Sequence, residues 1–276
     1  MSTKKALLSL FFISCTFVGL AQDTIHLKTY FRDLKAVEIF IDGKKYDLLF
    51  DAGGGETFIS PDIAKKLNKE IYGGSTGIRM DGEMFKYQKA DDVSIKIGAT
   101  DLFHKTIGVW DIMSILPTGL PGIDGVLSLR SFEGKILTVD LSKDILILEN
   151  STSAKKQIRG KTLIPSRFAN GMDGGELTIF IGIPKQSNFY WFLFDTGNIG
   201  PIILSPECAL LWGLPSDPGD AAMAAREKKV EFMIGKNRIE ADPYSKKIIY
   251  DGALNFQTIS KYIFTIDFSK KKVWMN

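Results

Sequence analysis

The sequence predicts an all-β protein with a few short helices, built from two copies of one unit. Short alternating or apolar runs separated by turn residues dominate the chain, and this pattern is typical of β-strands. Two segments carry nearly the same motif, an apolar run followed by Asp and a nearby Gly: residues 48–53 (LLFDAG) and residues 192–197 (FLFDTG). Two such motifs with similar flanks indicate a duplicated domain rather than two unrelated turns.

Each motif follows a predicted β-hairpin. The predicted strands are residues 37–41 and 46–50 in the first copy, and residues 176–181 and 189–194 in the second. Each hairpin delivers an Asp, either Asp51 or Asp195, to a turn where Gly permits the close approach of another backbone. An Asp at the end of a buried strand is costly unless its charge is shared or hydrogen-bonded, so each carboxyl needs a partner.

A short helix is predicted after each motif. Residues 60–67 and residues 205–212 both begin with Ser-Pro. A serine cap followed by proline in the first turn is the order expected at the start of a helix.

The repeat continues to the end of each copy. Residues 123–132 and 136–143 match residues 250–259 and 263–270 at a separation of 127 positions, whereas the two Asp motifs are 144 positions apart. The first copy therefore holds about 17 additional residues after its Asp. They fall in residues 70–87, where Asp81-Gly82 lies between extended runs and is a strong signal for the tip of a hairpin. The sequence predicts a long hairpin in the first copy and a short one in the second.

The repeat divides the chain into three segments. They are a signal peptide at residues 1–21, a first lobe at residues 22–150 with Asp51 and the long hairpin, and a second lobe at residues 151–276 with Asp195. The boundary between the lobes falls in a polar stretch near residues 150–160 that is rich in Ser and Lys.

The first segment has the features of an export signal. Lys4 and Lys5 precede an apolar run, residues 6–20, that is too short to span a bilayer comfortably. Residues 19–21 (GLA) offer a cleavage site with small residues before Gln22. We expect an exported protein, periplasmic or secreted, that begins near Gln22 and has no stable membrane span. A buried N-terminal helix fits this order of residues less well.

The two cysteines bear on the type of export signal and on whether a disulfide can form. A lipoprotein signal that uses Cys15 ranks second to simple export, because its apolar region is short and Phe12 is a poor match for the usual Leu. After export Cys208 alone remains, so no internal disulfide is expected.

The composition argues against several classes of function. The formal net charge is only +3 over 276 residues, and no basic patch indicates a nucleic-acid partner. His26 and His104 are the only histidines, so the sequence offers no zinc-ligand spacing and predicts neither a Ser-His nor a Cys-His pair. No phosphate-binding loop or dinucleotide glycine pattern is present. We therefore expect no cofactor and no metal. We also expect a monomer.

The paired Asp motifs resemble the active-site motif of the pepsin and retropepsin family of aspartic proteases, and the resemblance covers nearly the whole mature chain. It implies a two-lobed fold with an internal pseudo-twofold axis, and a peptide or protein substrate. It also implies that Asp51 and Asp195 form the catalytic pair, that Gly53 and Gly197 shape their turns, and that Thr196 hydrogen-bonds across the lobe interface. The long hairpin then becomes a flap over the substrate, with Met80, Asp81, Gly82 and Glu83 at its tip.

The later part of the family's motif is two hydrophobic residues and then Gly. The equivalent segments here are residues 123–125 (IDG) and residues 250–252 (YDG), so an Asp replaces the second hydrophobic residue. This departs from pepsin and resembles bacterial retropepsin-like chains.

A second departure is Ala52, which stands where the family has Thr or Ser. It lacks the hydroxyl that steadies the pair, and the glycines at positions 53–55 give the first loop unusual freedom. An inactive homologue that binds peptides is therefore the main alternative to an active protease. An unrelated exported β-sandwich ranks low, because it leaves the repeated motifs unexplained.

Four aromatic residues have two possible places in the fold. Phe85, Tyr87, Trp110 and Trp191 either line substrate subsites or fill the core, and base rates of burial favour the core for most of them.

Overall fold

The computed structural model describes residues 22–171, 174–216 and 229–276. The predicted signal peptide, residues 1–21, lies outside the described residues. Within them the protein is mostly β with a few short helices, so the predicted fold class is confirmed. No helix in these ranges has the length and apolar character needed to cross a bilayer.

The first half of the chain contains the strands β1 Asp23–Phe31, β2 Leu34–Ile41, β3 Lys44–Phe50, β4 Phe58–Ile59, β5 Tyr72–Ile78, β6 Met84–Ile97, β7 Thr100–Val109, β8 Gly125–Leu127, β9 Ile136–Asp140 and β10 Ile145–Glu149. The second half contains β11 Thr162–Ile164, β12 Ser166–Asn170, β13 Leu177–Lys185, β14 Asn188–Leu193, β15 Ile203–Leu204, β16 Val230–Ile234, β17 Asn237–Ala241, β18 Tyr244–Ser245, β19 Gly252–Ala253, β20 Ile263–Asp267 and β21 Lys272–Met275. The helices are α1 Pro61–Lys66, α2 Ser151–Ile158, α3 Pro206–Leu211 and α4 Phe256–Ile259, with 3-10 turns at Ile112–Ser114 and Leu129–Phe132.

One large sheet joins the two lobes. Its strand order is β11-β21-β20-β9-β10-β1-β2-β3-β8-β4-β7-β6-β5, so strands of both lobes belong to it. The junction is the antiparallel pair β9–β20, in which Thr138 lies directly opposite Thr265. Their hydroxyl oxygens are 3.0 Å apart, and the two residues are 127 positions apart in sequence. The pseudo-twofold axis of the duplication therefore passes between these two threonines.

The second lobe has its own sheet with the order β12-β13-β14-β19-β15-β18, beside the two-stranded β16–β17. In each lobe a short strand lies between the two strands that flank the Asp turn. β8 pairs parallel with β3 and antiparallel with β4, and β19 pairs in the same way with β14 and β15. This crossing holds both ends of each Asp turn against one strand.

The Asp that precedes each crossing strand has a structural role. The carboxylate of Asp124 accepts a hydrogen bond from the backbone N–H of Asp47 at 2.9 Å. The carboxylate of Asp251 accepts one from the N–H of Trp191 at 2.7 Å. Because both lobes use the same contact, the Asp in the IDG and YDG segments fastens the crossing strand to the hairpin.

Both predicted helices after the Asp turns are present. Ser60 caps α1 and Ser205 caps α3, each accepting from the backbone N–H three residues later, and proline follows each cap. The polar segment at the lobe boundary forms a further helix, α2, which was not predicted from the sequence. Asn150 caps it, and Ser153 completes a reciprocal capping box.

The main hydrophobic core extends through both lobes. Leu137 and Val139 of β9, together with Phe264 and Ile266 of β20, are at most 1% exposed within it. Burial of this apolar surface is the main stabilising term that offsets the cost of any charge placed between the lobes.

The crossing at Gly125 generates a prediction about stability. A Cβ at this position would overlap the carbonyl oxygen of Phe58, so we expect Gly125→Ala to lower the free energy of unfolding by about 1–3 kcal/mol. Gly122→Ala is the matched control, since no atom lies within 4 Å of a Cβ there. Thermal unfolding of both variants checks this, and an equal effect of the two substitutions would contradict it.

Candidate active site

The two Asp turns have the same local geometry. Asp51 follows β3, and its backbone N–H donates to the carbonyl of Leu127 at 3.1 Å. Asp195 follows β14 in the other lobe. In each turn the Gly two residues later donates its N–H to the Asp Oδ1, at 2.9 Å from Gly53 to Asp51 and at 2.9 Å from Gly197 to Asp195. Each carboxyl is therefore held by its own turn.

The turns also meet across the lobes. A Cβ built on Gly53 would lie 2.5 Å from Cγ of Asp195, and one built on Gly197 would lie 2.9 Å from Cγ of Asp51. Each glycine thus lies against the carboxyl of the opposite lobe, where any side chain would displace it. This close approach lets the two carboxyls hydrogen-bond to each other.

Burial raises the pKa of both carboxyls above the ordinary Asp value. The charge of Asp51 raises the pKa of Asp195 further. Backbone N–H groups of Gly53, Gly54 and Gly197 favour the ionised form of Asp51, whereas those of Gly197 and Asn198 favour the ionised form of Asp195. Because burial disfavours two negative charges side by side, the pair holds one shared proton.

Thr196 links the lobes behind the pair. Its hydroxyl accepts from the backbone N–H of Ala52 at 2.8 Å and donates to the carbonyl of Phe50 at 3.4 Å. Ala52 occupies the equivalent position of the first lobe, is fully buried, and offers only a methyl group in return. The interlobe contact at this level is therefore one-sided.

A cleft of about 360 Å³ opens above the pair, and residues of both lobes line it. Phe85 and Trp110 are among them, with ring centroids 4.7 Å apart. Tyr87 is 3% exposed and packs in the core beneath, edge-on to Phe58. Trp191 lies under the guanidinium of Arg167, 3.9 Å from ring centroid to Cζ. Phe85 and Trp110 therefore do both: they line the cleft and are partly buried against the core.

The predicted hairpin covers the cleft. β5 and β6 pair as far as Ile78 and Met84, and Gly82 lies in the turn with φ +88°. Met80 lines the cleft, and its carbonyl accepts from the N–H of Ile249 in the other lobe at 2.9 Å. Asp81, Gly82 and Glu83, the other residues predicted at the tip, form the turn beyond Met80. The N–H of Glu83 donates there to Asp81 Oδ1 at 3.1 Å. The hairpin tip is therefore docked on the second lobe.

A buried polar chain supports the first Asp turn from behind. His104 Nε2 lies 3.3 Å from the Ser131 hydroxyl, which is 2.7 Å from the hydroxyl of Thr57. Burial lowers the pKa of His104 to about 4, with a smaller effect from Arg130, so the imidazole is neutral at pH 7. The sequence predicted no Ser-His pair, and this one is buried and lies outside the residues that line the cleft.

Charged residues near the cleft were also missed. Glu56 and Glu176 line it, and Arg130 Nε lies 3.8 Å from Glu56 Oε1. Arg130 Nη1 also donates to the carbonyl of Gly174 in the other lobe at 2.7 Å. No local sequence signal identifies these residues, because their partners are distant in the chain.

A comparison with known protein families finds no match. A search of curated proteins finds none either. Among solved structures, the chain is similar to basic 7S globulin from soybean, with a TM-score of 0.59 and 9% identity. It is also similar to conglutin gamma, a basic 7S globulin from lupine seeds, with a TM-score of 0.57 and 10% identity. A third similar structure is edgp, with a TM-score of 0.56 and 9% identity. Each of the three alignments covers 92% of this chain and 94% of the other chain.

The chain has the pepsin-like fold. At 9–10% identity the similarity shows the fold alone. It supports the pepsin-like part of the predicted resemblance and not the narrower bacterial retropepsin-like type.

The one-sided contact at Thr196 generates the next prediction. We expect Ala52→Thr to raise the melting temperature, by about the 1 kcal/mol that one hydrogen bond contributes, because it restores a hydroxyl to the first lobe. Thr196→Ala should cost about 1–3 kcal/mol, because it leaves the buried N–H of Ala52 without its acceptor. Calorimetry of the two variants measures both effects. A loss of stability in Ala52→Thr would show that the first turn is packed around a small side chain.

Proposed function

We propose that this protein is an aspartic endopeptidase that hydrolyses peptide bonds with a water activated by Asp51 and Asp195. The observation that supports this best is the pair of carboxyls, one from each lobe, hydrogen-bonded to each other at the floor of a covered cleft, with Asp195 buried and Asp51 partly exposed to the cleft. Export, with a mature chain beginning near Gln22, is part of the same proposal.

The proposed mechanism follows from the proton that the pair shares. The ionised carboxyl of the pair accepts a proton from water as the water attacks the scissile carbonyl. The protonated carboxyl donates its proton to the carbonyl oxygen, which gives a neutral tetrahedral intermediate. The roles then reverse as the amide nitrogen is protonated and leaves. Paired carboxyls that share one proton are the general precedent for this chemistry in aspartic proteases.

Peptide binding without hydrolysis is the second candidate. The lack of a hydroxyl at Ala52 favours it, since the pair is then steadied from one side only. Two of the three similar structures named above are described as basic 7S globulins. The same cleft and hairpin would then hold a peptide that is not cut.

The pair generates a prediction about catalysis. We expect Asp51→Asn and Asp195→Asn each to abolish hydrolysis of a broad peptide library, with the fold retained in circular dichroism. The double variant should be hardly worse than either single one, because the two groups act as a unit. Substantial activity in either single variant would refute the mechanism. A wild-type protein that binds library peptides but cleaves none from acid to neutral pH would favour the binding candidate.

The pH dependence of the rate is a further expected outcome. Activity requires one proton on the pair, so the profile should be bell-shaped. The alkaline limb should lie above the ordinary Asp range, because burial and the charge of Asp51 raise the pKa of Asp195. Initial rates on one peptide across pH measure this. A rate that keeps rising into alkaline pH would require a different base.

The free energy of unfolding should also depend on pH, because the pKa values of the pair are raised in the folded state. Above about pH 4, the folded state retains a proton on the pair that the unfolded chain has lost, so the free energy of unfolding falls as pH rises. The double variant Asp51→Asn/Asp195→Asn removes this titration. The variant should therefore gain stability relative to wild type between pH 4 and pH 7, and a difference that stays constant with pH would contradict the raised pKa.

A further inference from the structure

Two side chains reach from the helical turn after each crossing strand to the opposite lobe. Arg130 lies in the 3-10 turn after β8, and its Nη1 donates to the carbonyl of Gly174 in the second lobe at 2.7 Å. Gln257 lies in α4 after β19, and its Nε2 donates to a carboxylate oxygen of Asp33 in the first lobe at 2.8 Å. We call these contacts the Arg130 bridge and the Gln257 bridge.

The two bridges are related by the duplication. Positions 130 and 257 are 127 residues apart, which is the separation of the matching ends of the two copies. Their acceptors correspond as well, since Asp33 lies between β1 and β2 and Gly174 lies between β12 and β13. Contacts related by a pseudo-twofold axis lie on opposite sides of it, and the same axis relates the two Asp turns. The lobes are therefore held together on both sides of the carboxyl pair.

Each bridging side chain also contacts the loop that follows the Asp turn of its own lobe. Arg130 Nε lies 3.8 Å from Oε1 of Glu56, in the loop after the first Asp turn. Gln257 Nε2 also donates to the carbonyl of Ile199, in the loop after the second turn, at 3.0 Å. The side chain of Glu56 is 1% exposed and that of Arg130 is 22% exposed, so their ion pair is largely shielded from water. Each bridge thus connects one Asp turn to the opposite lobe.

The direct contact between the Asp turns gives these bridges their importance. Behind the pair, the hydroxyl of Thr196 binds the N–H of Ala52, and the first lobe offers no hydroxyl in return. A misplacement of about 1 Å in an active site can cost about 100-fold in rate, so the lobes need further support. Arg130 and Gln257 lie outside the set of described residues that line the cleft, which leaves them a role in alignment rather than in substrate contact.

We propose that Arg130 and Gln257 are positioning residues that fix the two lobes relative to each other, and with them the carboxyls of Asp51 and Asp195. This inference rests on the proposed function, because it concerns the alignment of the same two carboxyls. Loss of either bridge frees one Asp turn to move relative to the opposite lobe. The pairing of β9 with β20 remains in that case, so the lobes stay joined and hinge at this pair.

Amide hydrogen exchange, followed residue by residue by NMR, tests this without any substrate. The N–H of Ala52 bonds across the lobe interface, whereas the N–H of the adjacent Asp51 bonds within the first lobe to the carbonyl of Leu127. Opening between the lobes therefore exposes the Ala52 N–H and leaves the Asp51 N–H protected. Arg130→Met and Gln257→Met keep much of the side-chain length and remove the donors. In each variant we expect exchange at Ala52 to become about tenfold faster, with little change at Asp51.

Two matched controls remove contacts that the bridging residues make within their own lobes. Glu133→Gln removes a carboxylate that is 59% exposed and lies 3.9 Å from Arg130 Nη1. Ser260→Ala removes a hydroxyl that donates to the carbonyl of Gln257 at 3.3 Å. Both variants should leave exchange at Ala52 unchanged. Melting temperatures of all four variants establish that the fold is retained.

A further variant protects the test against misfolding. Arg130→Met leaves the carboxylate of Glu56 without this cation, which can prevent folding. Asp33→Ala instead removes the acceptor of the Gln257 bridge and leaves the ion pair of the first lobe intact. It should speed exchange at Ala52 to the same extent as Gln257→Met, because both substitutions remove the same hydrogen bond.

The outcomes separate this inference from the proposed function. Faster exchange at Ala52 in the bridge variants alone supports the inference, whether or not the protein cuts peptides. No acceleration at Ala52, or an equal acceleration at Asp51, overturns it, because the side chains then have no effect on the lobe interface or stabilise the fold as a whole. Where the wild-type protein hydrolyses peptides, kcat should fall in the bridge variants by a larger factor than KM changes. An unchanged kcat overturns the inference and leaves the peptidase proposal intact, whereas a wild-type protein that cuts no peptide refutes the peptidase proposal alone.

Discussion

The hydrogen bond between the carboxyls of Asp51 and Asp195 is the contact on which the site depends. It exists because Gly53 and Gly197 leave no side chain between each carboxyl and the opposite lobe. Two adjacent carboxyls, of which Asp195 is buried, are costly to ionise together unless they share a proton and accept hydrogen bonds from backbone N–H groups. The glycine turns provide those donors, and the sheet that spans both lobes keeps the turns in place.

Local features of the fold were readable from the sequence, and long-range ones were not. The Asp turns, the Ser-Pro helix starts and the Asp81-Gly82 hairpin tip each depend on residues within a few positions of one another. The offset of 127 between the tails even matches the pairing of Thr138 with Thr265. By contrast, the bond from Arg130 to Gly174 and the chain from His104 to Thr57 join residues brought together only by the complete fold. The cleft positions of Phe85 and Trp110 depend on it in the same way.

The two lobes differ from each other at the residues that line the cleft. The first lobe has the long hairpin and the aromatic wall, while the second has the hydroxyl of Thr196 and the carboxylate of Glu176. The core retains the symmetry, as the matched contacts of Asp124 and Asp251 show. A symmetric cleft would accept a peptide in either direction. Under the proposed function, the differences between the walls therefore give a bound peptide one orientation.

The energetics of the pair bear on the choice between catalysis and simple binding. A cleft that only holds a peptide needs walls and a cover, and neither depends on a buried acid. A raised pKa in the folded state means that the carboxyl lowers stability at neutral pH, whereas an amide or apolar side chain there would not. Both carboxyls are nevertheless present, each with a glycine from the opposite lobe against it. Ala52 weakens the support of this arrangement without removing either acid, and the retention of both acids is the reason why we propose catalysis ahead of binding alone.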